Sequence, residues 1–292
     1  SELEAGSPKY QEGEDLYVST KTTYYLTTVD PVINGVSSGL RYSQWQKDNE
    51  SWQTVYPPVT DYQLPLTFEE GEHLIYYKGT DNLGNEEEEK SLKVLVDATP
   101  PITTISINKP KYIVAGSTYI TSDSEITLSA IDPVSSEVAS GVKEIWYRVS
   151  REQIGESSEW KRYEGSFNID GEDGIYTIEY YSIDNVENKE RIRTQKVLLD
   201  NTPPVTSIIT GTPQYIKEEK IYIAPHTPIE LEATDPVVNE VASGLKYIEY
   251  RIDASEWQIY TSEIYLEEGI HKVEYRSVDN LGNIESIKTQ VY

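Results

Sequence analysis

Gly269-Ile-His-Lys-Val-Glu-Tyr-Arg-Ser-Val-Asp-Asn-Leu-Gly-Asn283 is the stretch that decides the fold of this chain. From Val273 its residues alternate: Val273, Tyr275 and Ser277 fall on one face, Glu274 and Arg276 on the other. Period-2 alternation built on β-branched and aromatic residues predicts a half-buried strand. Gly269 precedes the run and Asp279-Asn280 ends it, and both are turn chemistry. The same string occurs twice upstream, as Gly174 with Tyr176-Thr-Ile-Glu-Tyr180 and Asp184-Asn185, and as Gly71 with His73-Leu-Ile-Tyr-Tyr77 and Asp81-Asn82. An Asn and a Glu follow each copy at fixed offsets: Asn85 and Glu87, Asn188 and Glu190, Asn283 and Glu285.

Working outward, each copy has an upstream loop of one pattern. Asp30-Pro31-Val32 precedes Ser38-Gly39, Asp132-Pro133-Val134 precedes Ser140-Gly141, and Asp235-Pro236-Val237 precedes Ser243-Gly244, always with nine residues from Asp to Gly. A Trp follows in each copy: Trp52, Trp160 and Trp257. Matched offsets over about 100 residues are the signature of a repeat array. No stretch has a 3.6-residue apolar pattern, and about seven short strands per repeat predict a β-sandwich. The expected fold is therefore all-β: three tandem immunoglobulin-like sandwiches in a rod-like array, with bounds 1–98, 99–201 and 202–292. Asp97-Ala-Thr-Pro-Pro101 and Asp200-Asn-Thr-Pro-Pro204 separate them, and a Pro-Pro pair, unable to continue a ladder, predicts a short stiff linker. Pro8-Lys9-Tyr10 aligns with Pro110-Lys111-Tyr112, leaving only Ser1 to Ser7 before it, so the first strand of the first module is expected to be short or missing. With no Met in the chain and an end at Tyr292 before another linker, two readings stand: a section of a longer array, or a subunit with natural termini that a neighbour completes.

Composition narrows the function. The net charge is −25, from 25 Lys and Arg against 50 Asp and Glu. Such a surface repels phosphate backbones, which argues against nucleic acid, and attracts divalent cations. The 24 Tyr and 5 Trp supply core volume and argue against disorder. There is no Cys for a disulfide or thiolate site, and no apolar run approaches the ~20 residues of a membrane helix.

The third repeat, from Ala233-Thr-Asp through Ser243-Gly-Leu-Lys-Tyr-Ile-Glu-Tyr-Arg-Ile-Asp253 and Glu256-Trp-Gln-Ile-Tyr260 to Asn283, resembles the bacterial immunoglobulin-like (Big-type) repeats of exported surface proteins, adhesins and secreted polysaccharide-degrading enzymes. The first repeat departs most, with Ser43 and Gln44 where the second has Ile145 and Trp146. The resemblance implies an extracellular or cell-surface, non-catalytic spacing or adhesive role. Its partners would be neighbouring modules of the same protein, with a surface protein or polysaccharide as ligand. Two alternatives stand beside the stalk: an accessory region of a secreted polysaccharide-degrading enzyme, and a filament subunit completed by strand exchange at the short first strand.

Three site chemistries are open. The first is calcium. In an immunoglobulin-like topology the loop carrying Asp235 and Glu240 shares an end with the loop carrying Asp279, Asn280 and Asn283, and the linker bearing Asp200 approaches that end. The second repeat offers Asp132, Glu137, Asp184, Asn185 and Asn188, with Asp97 before it. Carboxylate and amide oxygens suit Ca2+. The competing reading is that these Asp and Asn residues cap their own turns. Gly35 stands where the other repeats have Glu137 and Glu240, which weakens a site in the first repeat. The second chemistry is sugar stacking on Trp45, Trp52, Tyr56 and Tyr62, against which the repeat alignment places both Trp residues in packing roles. The third is catalysis. His73 and His271 align with Tyr176, His226 lies in a Pro-flanked loop, and Glu86 to Glu89 read as a solvated face, so no catalytic residue is expected.

Overall fold

The computed structural model describes residues 1–152 and 156–292, and its regular elements are β-strands with no α-helix among the described residues. Packing divides the chain into two compact units. One is Ser1–Thr104, Leu128–Trp146 and Tyr180–Arg193; the other is Ile105–Thr127, Tyr147–Glu179 and Thr194–Tyr292. Strand pairing follows three successive sets, and no sheet mixes strands of different sets.

The first set comprises β1 (Glu2–Ala5), β2 (Lys9–Glu12), β3 (Asp15–Val18), β4 (Tyr24–Thr27), β5 (Leu40–Lys47), β6 (Gln53–Val55), β7 (Tyr62–Leu64), β8 (Gly71–Asp81) and β9 (Lys90–Val96). One sheet runs β1-β4-β7 and the other β2-β3-β9-β8-β5-β6. Buried Leu3, Ala5, Tyr24, Leu26 and Leu64 from the first meet Val18, Trp45, Ile75, Val94 and Val96 from the second in one core. Two antiparallel sheets closed over a shared apolar interior make a sandwich, and β3 joins β9 in parallel at one margin. The first strand is present: β1 pairs with β4 from Glu2↔Thr27 to Ala5↔Tyr24. It has four residues, against six in each of its counterparts in the later sets.

The second set comprises β10 (Ile102–Ile107), β11 (Lys111–Val114), β12 (Ser117–Ile120), β13 (Ile126–Ile131), β14 (Val142–Arg151), β15 (Glu156–Ser157), β16 (Lys161–Arg162), β17 (Gly174–Asp184) and β18 (Arg193–Leu199). Here β10 pairs with β13, and the larger sheet runs β11-β12-β18-β17-β14-β15, with β16 also on β14. Alternation places Tyr176, Ile178 and Tyr180 of β17 inside.

The third set comprises β19 (Val205–Thr210), β20 (Gln214–Lys217), β21 (Lys220–Ile223), β22 (Ile229–Thr234), β23 (Leu245–Ile252), β24 (Gln258–Ile259), β25 (Lys272–Asp279) and β26 (Lys288–Val291). Its sheets are β19-β22, β20-β21 and β24-β23-β25-β26. Ile229, Leu231, Ile248, Ile264, Leu266, Val273 and Tyr275 form its core. Burying each such side chain contributes ~1.5–3 kcal/mol.

Candidate metal centres

The nine-residue Asp-to-Gly spacing has a direct cause. Asp132 follows β13, and its Oδ2 accepts the Gly141 N–H at 2.7 Å, closing the loop that leads into β14. Asp235 does the same to Gly244 at 2.7 Å, and Asp30 to Gly39 at 2.8 Å. At the tip of each loop a two-residue reverse turn reverses the chain. Ser135 and Val138 exchange backbone hydrogen bonds around Ser136 (φ 48°) and Glu137 (φ 65°). Positive φ at both central positions is the turn type that matches strand twist.

The turn after β17 is built on Asp184. Its Oδ1 accepts the N–H of Val186 at 2.9 Å and of Asn188 at 2.8 Å. Asp279 does the same after β25 with Leu281, Gly282 and Asn283. The third contributor comes from the preceding strand set. The N–H of Asp97 donates to Val18 O, extending the pairing of β3 with β9, while its Oδ2 accepts the Ser140 N–H at 2.7 Å in the next set. Asp200 repeats this, with its N–H on Ile120 O and its Oδ2 accepting the Ser243 N–H at 2.6 Å.

These placements bring Asp97, Asp132 and Asp184 together, and likewise Asp200, Asp235 and Asp279, with one carboxylate oxygen of each residue within 4.8 Å of those of its two neighbours. Asp97, Asp184, Asp200 and Asp279 are each 0% exposed, while Asp132 and Asp235 are partly open. Among the described residues, no Lys, Arg or His lies within ion-pair distance of any of the six. Burial pushes the Asp132 carboxyl up to about 6; the Gly141 hydrogen bond opposes the rise, and the charges of Asp97, Asp184 and Glu70 add to it. Asp235 is likewise raised to about 6 by burial, against the Gly244 bond and with Asp200, Asp279 and Asp173 adding. Burial also raises Asp184 and Asp200. Asp81, the counterpart of Asp184 in the first set, is instead lowered, chiefly by its hydrogen bond from Asn85. Among the described residues Asp30 and Asp81 belong to no comparable trio; they border an open concavity of about 320 Å³ that also touches Ser1, Glu86 and Glu87.

The remaining candidate residues are held as follows. Glu137 and Glu240 are exposed at the turn tips and belong to neither trio. Asn185 is a loop clamp: its Nδ2 donates to Ser140 O at 2.8 Å and Gly141 O at 3.1 Å. Asn280 does the same to Ser243 O and Gly244 O, both at 2.9 Å. The Nδ2 of Asn188 donates to Asp97 O, and that of Asn283 to Asp200 O and Asp279 Oδ2. Turn chemistry and carboxylate convergence therefore coexist.

Of the other candidates, the Trp residues are taken up in packing while Tyr56 and Tyr62 stay exposed. The rings of Trp52, Trp160 and Trp257 are covered by Lys78, Arg148, and Arg251 with Arg276, at 4.5–4.8 Å. Trp45 is buried, Tyr62 is exposed, and Tyr56 is 71% exposed with an edge-on contact to Tyr42. His73 Nδ1 and His271 Nδ1 lie 2.9 and 2.7 Å from Asp48 and Asp253 carboxylates, whose other oxygens accept the N–H of Leu74 and Lys272. His226 is exposed.

Two structural carboxylate sets escape the sequence reading. Buried Glu190 accepts the Thr103 N–H, the Thr103 hydroxyl and the Ser182 N–H, tying β10 to β17, and Glu285 does this with Thr206 and Ser277. Their fixed offset from the Asp-Asn pair was the visible signal. Glu70 accepts the hydroxyls of Thr99 and Ser135, and Asp173 accepts the Thr202 hydroxyl and the Asn201 N–H. These have no shared residue type to betray them.

No family model matches the chain, and no curated protein matches it. Solved structures similar to it include fibronectin(III)-like modules of CbhA from Clostridium thermocellum, at 14% identity over 68% of this chain and 94% of that one, with a TM-score of 0.36. A 1.5-MDa bacterial ice-binding adhesin, studied for its host cell surface retention, is similar at 10% identity over 100% of this chain and 97% of that one, with a TM-score of 0.41. The sandwich assignment rests on strand pairing and shared cores, independently of these likenesses.

Proposed function

We propose that this chain is a non-catalytic structural or adhesive segment of an exported protein, built of three immunoglobulin-like modules that hold other parts apart. The observation that carries the reading is the double role of Asp97 and Asp200. Each ends the last strand of one set by its N–H and closes a loop of the next set by its carboxylate. Thr99 and Ser135 on Glu70, and Thr202 with Asn239 on Asp173, add side-chain ties around the same two segments. A Pro-Pro step follows each Asp, so the connecting backbone has few conformations to lose. Modules fastened in this way transmit force from one to the next without relying on a flexible linker.

Several further features agree with this role. The titratable groups that converge are repeated and buried rather than gathered in one cleft, unlike a catalytic constellation. No helix of the described residues is long and apolar enough to cross a membrane. An acidic surface keeps repeated modules from associating nonspecifically.

Single-molecule extension tests the reading. Three unfolding events, each lengthening the chain by roughly 300 Å at ~3.5 Å per residue, are expected from three modules of about 100 residues. A trace with two events, matching division of the middle strand set between its neighbours, would sink the three-module arrangement. Unfolding at forces indistinguishable from thermal drift would sink the load-bearing role itself.

A further inference from the structure

We propose that Asp97, Asp132 and Asp184 form a binding site for a hard divalent cation of the calcium type, and that Asp200, Asp235 and Asp279 repeat it. The proposal goes beyond the structural role above and stands or falls separately from it.

Convergence is the first observation: three carboxylate oxygens from three separate chain segments lie within 4.8 Å of one another in each trio. Oxygens held at 2.3–2.6 Å from a calcium ion are at most about 5 Å apart across it, so the spacing fits a shared ion. The second observation is independent of clustering. Asp184 is 0% exposed, yet its Oδ2 has no hydrogen-bond partner. Its Oδ1 accepts two N–H groups and its own N–H donates to Asn188 O, while the Asn188 amide beside it opposes the rise that burial imposes on the carboxyl. The half-buried Asp132 also leaves its Oδ1 without a partner, and in the second trio the half-buried Asp235 does so, whereas Asp279 Oδ2 accepts the Asn283 amide there. A buried polar oxygen without a partner costs ~1–3 kcal/mol, and more when charged. Folded proteins rarely leave such atoms unmatched, and unmatched ones call for an ion or a water.

Charge favours a cation over a neutral occupant. No basic side chain among the described residues neutralises either trio. A divalent cation offsets two charges at once and accepts the unpartnered oxygens as ligands. The donor set is all oxygen, which selects the hard cations over zinc or copper. Asp132 and Asp235, the partly open members, stand on the side from which an ion and its remaining waters would enter. Because Asp97 and Asp200 belong to the strand set before the loops they close, an ion in either site would fasten consecutive sets to each other.

The test uses the full chain, stripped with chelator and titrated with CaCl2 by calorimetry, then with MgCl2. Two calcium ions per chain are expected, with dissociation constants in the range of roughly 10⁻⁵–10⁻³ M. Saturating calcium should raise the melting temperature by roughly 5–10 °C. Asp132→Asn and Asp235→Asn should each remove one ion, and the double variant both. The Asn carbonyl oxygen can still accept the Gly141 or Gly244 N–H, so the loops stay closed. In chelator these variants should melt at or above the parent, because an uncompensated carboxylate is gone. Asp30→Asn, at the same loop position in the set without a trio, should leave both ions bound. No heat and no melting shift at ~10 mM calcium overturns the proposal. So does an equal shift from sodium chloride at matched ionic strength, or a stoichiometry that Asp132→Asn and Asp235→Asn leave at two. Magnesium binding as tightly as calcium overturns the calcium assignment.

Discussion

Glu285 shows how one residue can hold a sandwich together. It is 7% exposed and accepts hydrogen bonds from the Thr206 N–H (3.0 Å) and hydroxyl (2.6 Å), from the Ser277 N–H (3.2 Å), and from Lys288. Burial alone would push its carboxyl up, but the Lys288 ammonium and the two Thr206 donors outweigh it and hold it below the ordinary range. Glu285→Ala leaves two buried N–H groups without an acceptor and should cost ~2–4 kcal/mol, read as a lower urea midpoint at unchanged slope. Glu285→Gln keeps an acceptor and should cost less; equal losses would mean that the network is not what the carboxylate supplies. The trios respond to pH in the opposite sense. Asp132 and Asp235 titrate near 6 when folded, facing Asp97, Asp184 and Glu70 in one case and Asp200, Asp279 and Asp173 in the other. The unfolded value is ~3.9, so between these pH values the folded state holds protons that the unfolded state has released. Stability of the metal-free chain therefore rises as pH falls through about 6. Glu274 and Glu285, both held low, withdraw stability only once pH drops below their unfolded value of ~4.3. In chelator the urea midpoint should be higher near pH ~5 than near pH ~7, then fall below ~4. A midpoint declining steadily from neutrality downward would contradict the raised carboxyls.

The loop from Asp235 to Gly244 is the element on which the second trio depends. Gly244 has φ +87°, its N–H donates to Asp235, and a Cβ there would stand 3.3 Å from Asn280 Nδ2. Gly84, in the turn after β8, has a similar φ of +89° but nothing within 4 Å of a built Cβ. Both Ala substitutions meet the backbone penalty of ~1–2 kcal/mol for a left-handed conformation. Gly244→Ala should cost more, because it also displaces the clamp that Asn280 places on Ser243 O and Gly244 O. Equal urea midpoints for the two variants would show that the clamp adds nothing. This loop also marks how far the sequence could be read. β8 and β17 are legible because alternation survives along most of their length; β25 alternates in sequence although Glu274 and Val278 are buried along with Val273 and Tyr275. The repeat of Asp-to-Gly spacing is legible, as is the gathering of Asp235 and Asp279 at one end, since sandwich topology dictates which loops are neighbours. Which oxygens turn inward is not legible. Glu240 has the right chemistry and the right loop, but positive φ at the turn tip carries it out to solvent. Asn185 and Asn280 have suitable oxygens, but their amide groups are turned to clamp backbone carbonyls. The β1 strand reads as short or absent because only seven residues precede Pro8, and four of them suffice to pair with β4.

Across the whole molecule, 50 acidic against 25 basic residues give a self-repelling charge that every folded contact must overcome. Surface repulsion is screened over a Debye length of ~10 Å at ~0.1 M salt, whereas repulsion within the largely buried trios is screened much less. The two effects therefore separate experimentally. In chelator, raising sodium chloride from ~20 to ~300 mM should lift the melting temperature by a few degrees, because compact acidic surface gains more from screening than the expanded chain does. The Asp132→Asn, Asp235→Asn double variant changes the net charge by only two, so its salt response should match the parent's. Its response to millimolar calcium, by contrast, should vanish. If sodium chloride left the parent unchanged, the ion pairs it weakens, such as Arg276 with Glu249 at 2.6 Å and Arg148 with Glu179 at 2.6 Å, would be cancelling the relief of repulsion. That balance is unfavourable to begin with: the strongest of these pairs sit on sheet faces at the protein surface, where each contributes no more than ~1 kcal/mol, while the excess of acidic groups is distributed over the entire chain.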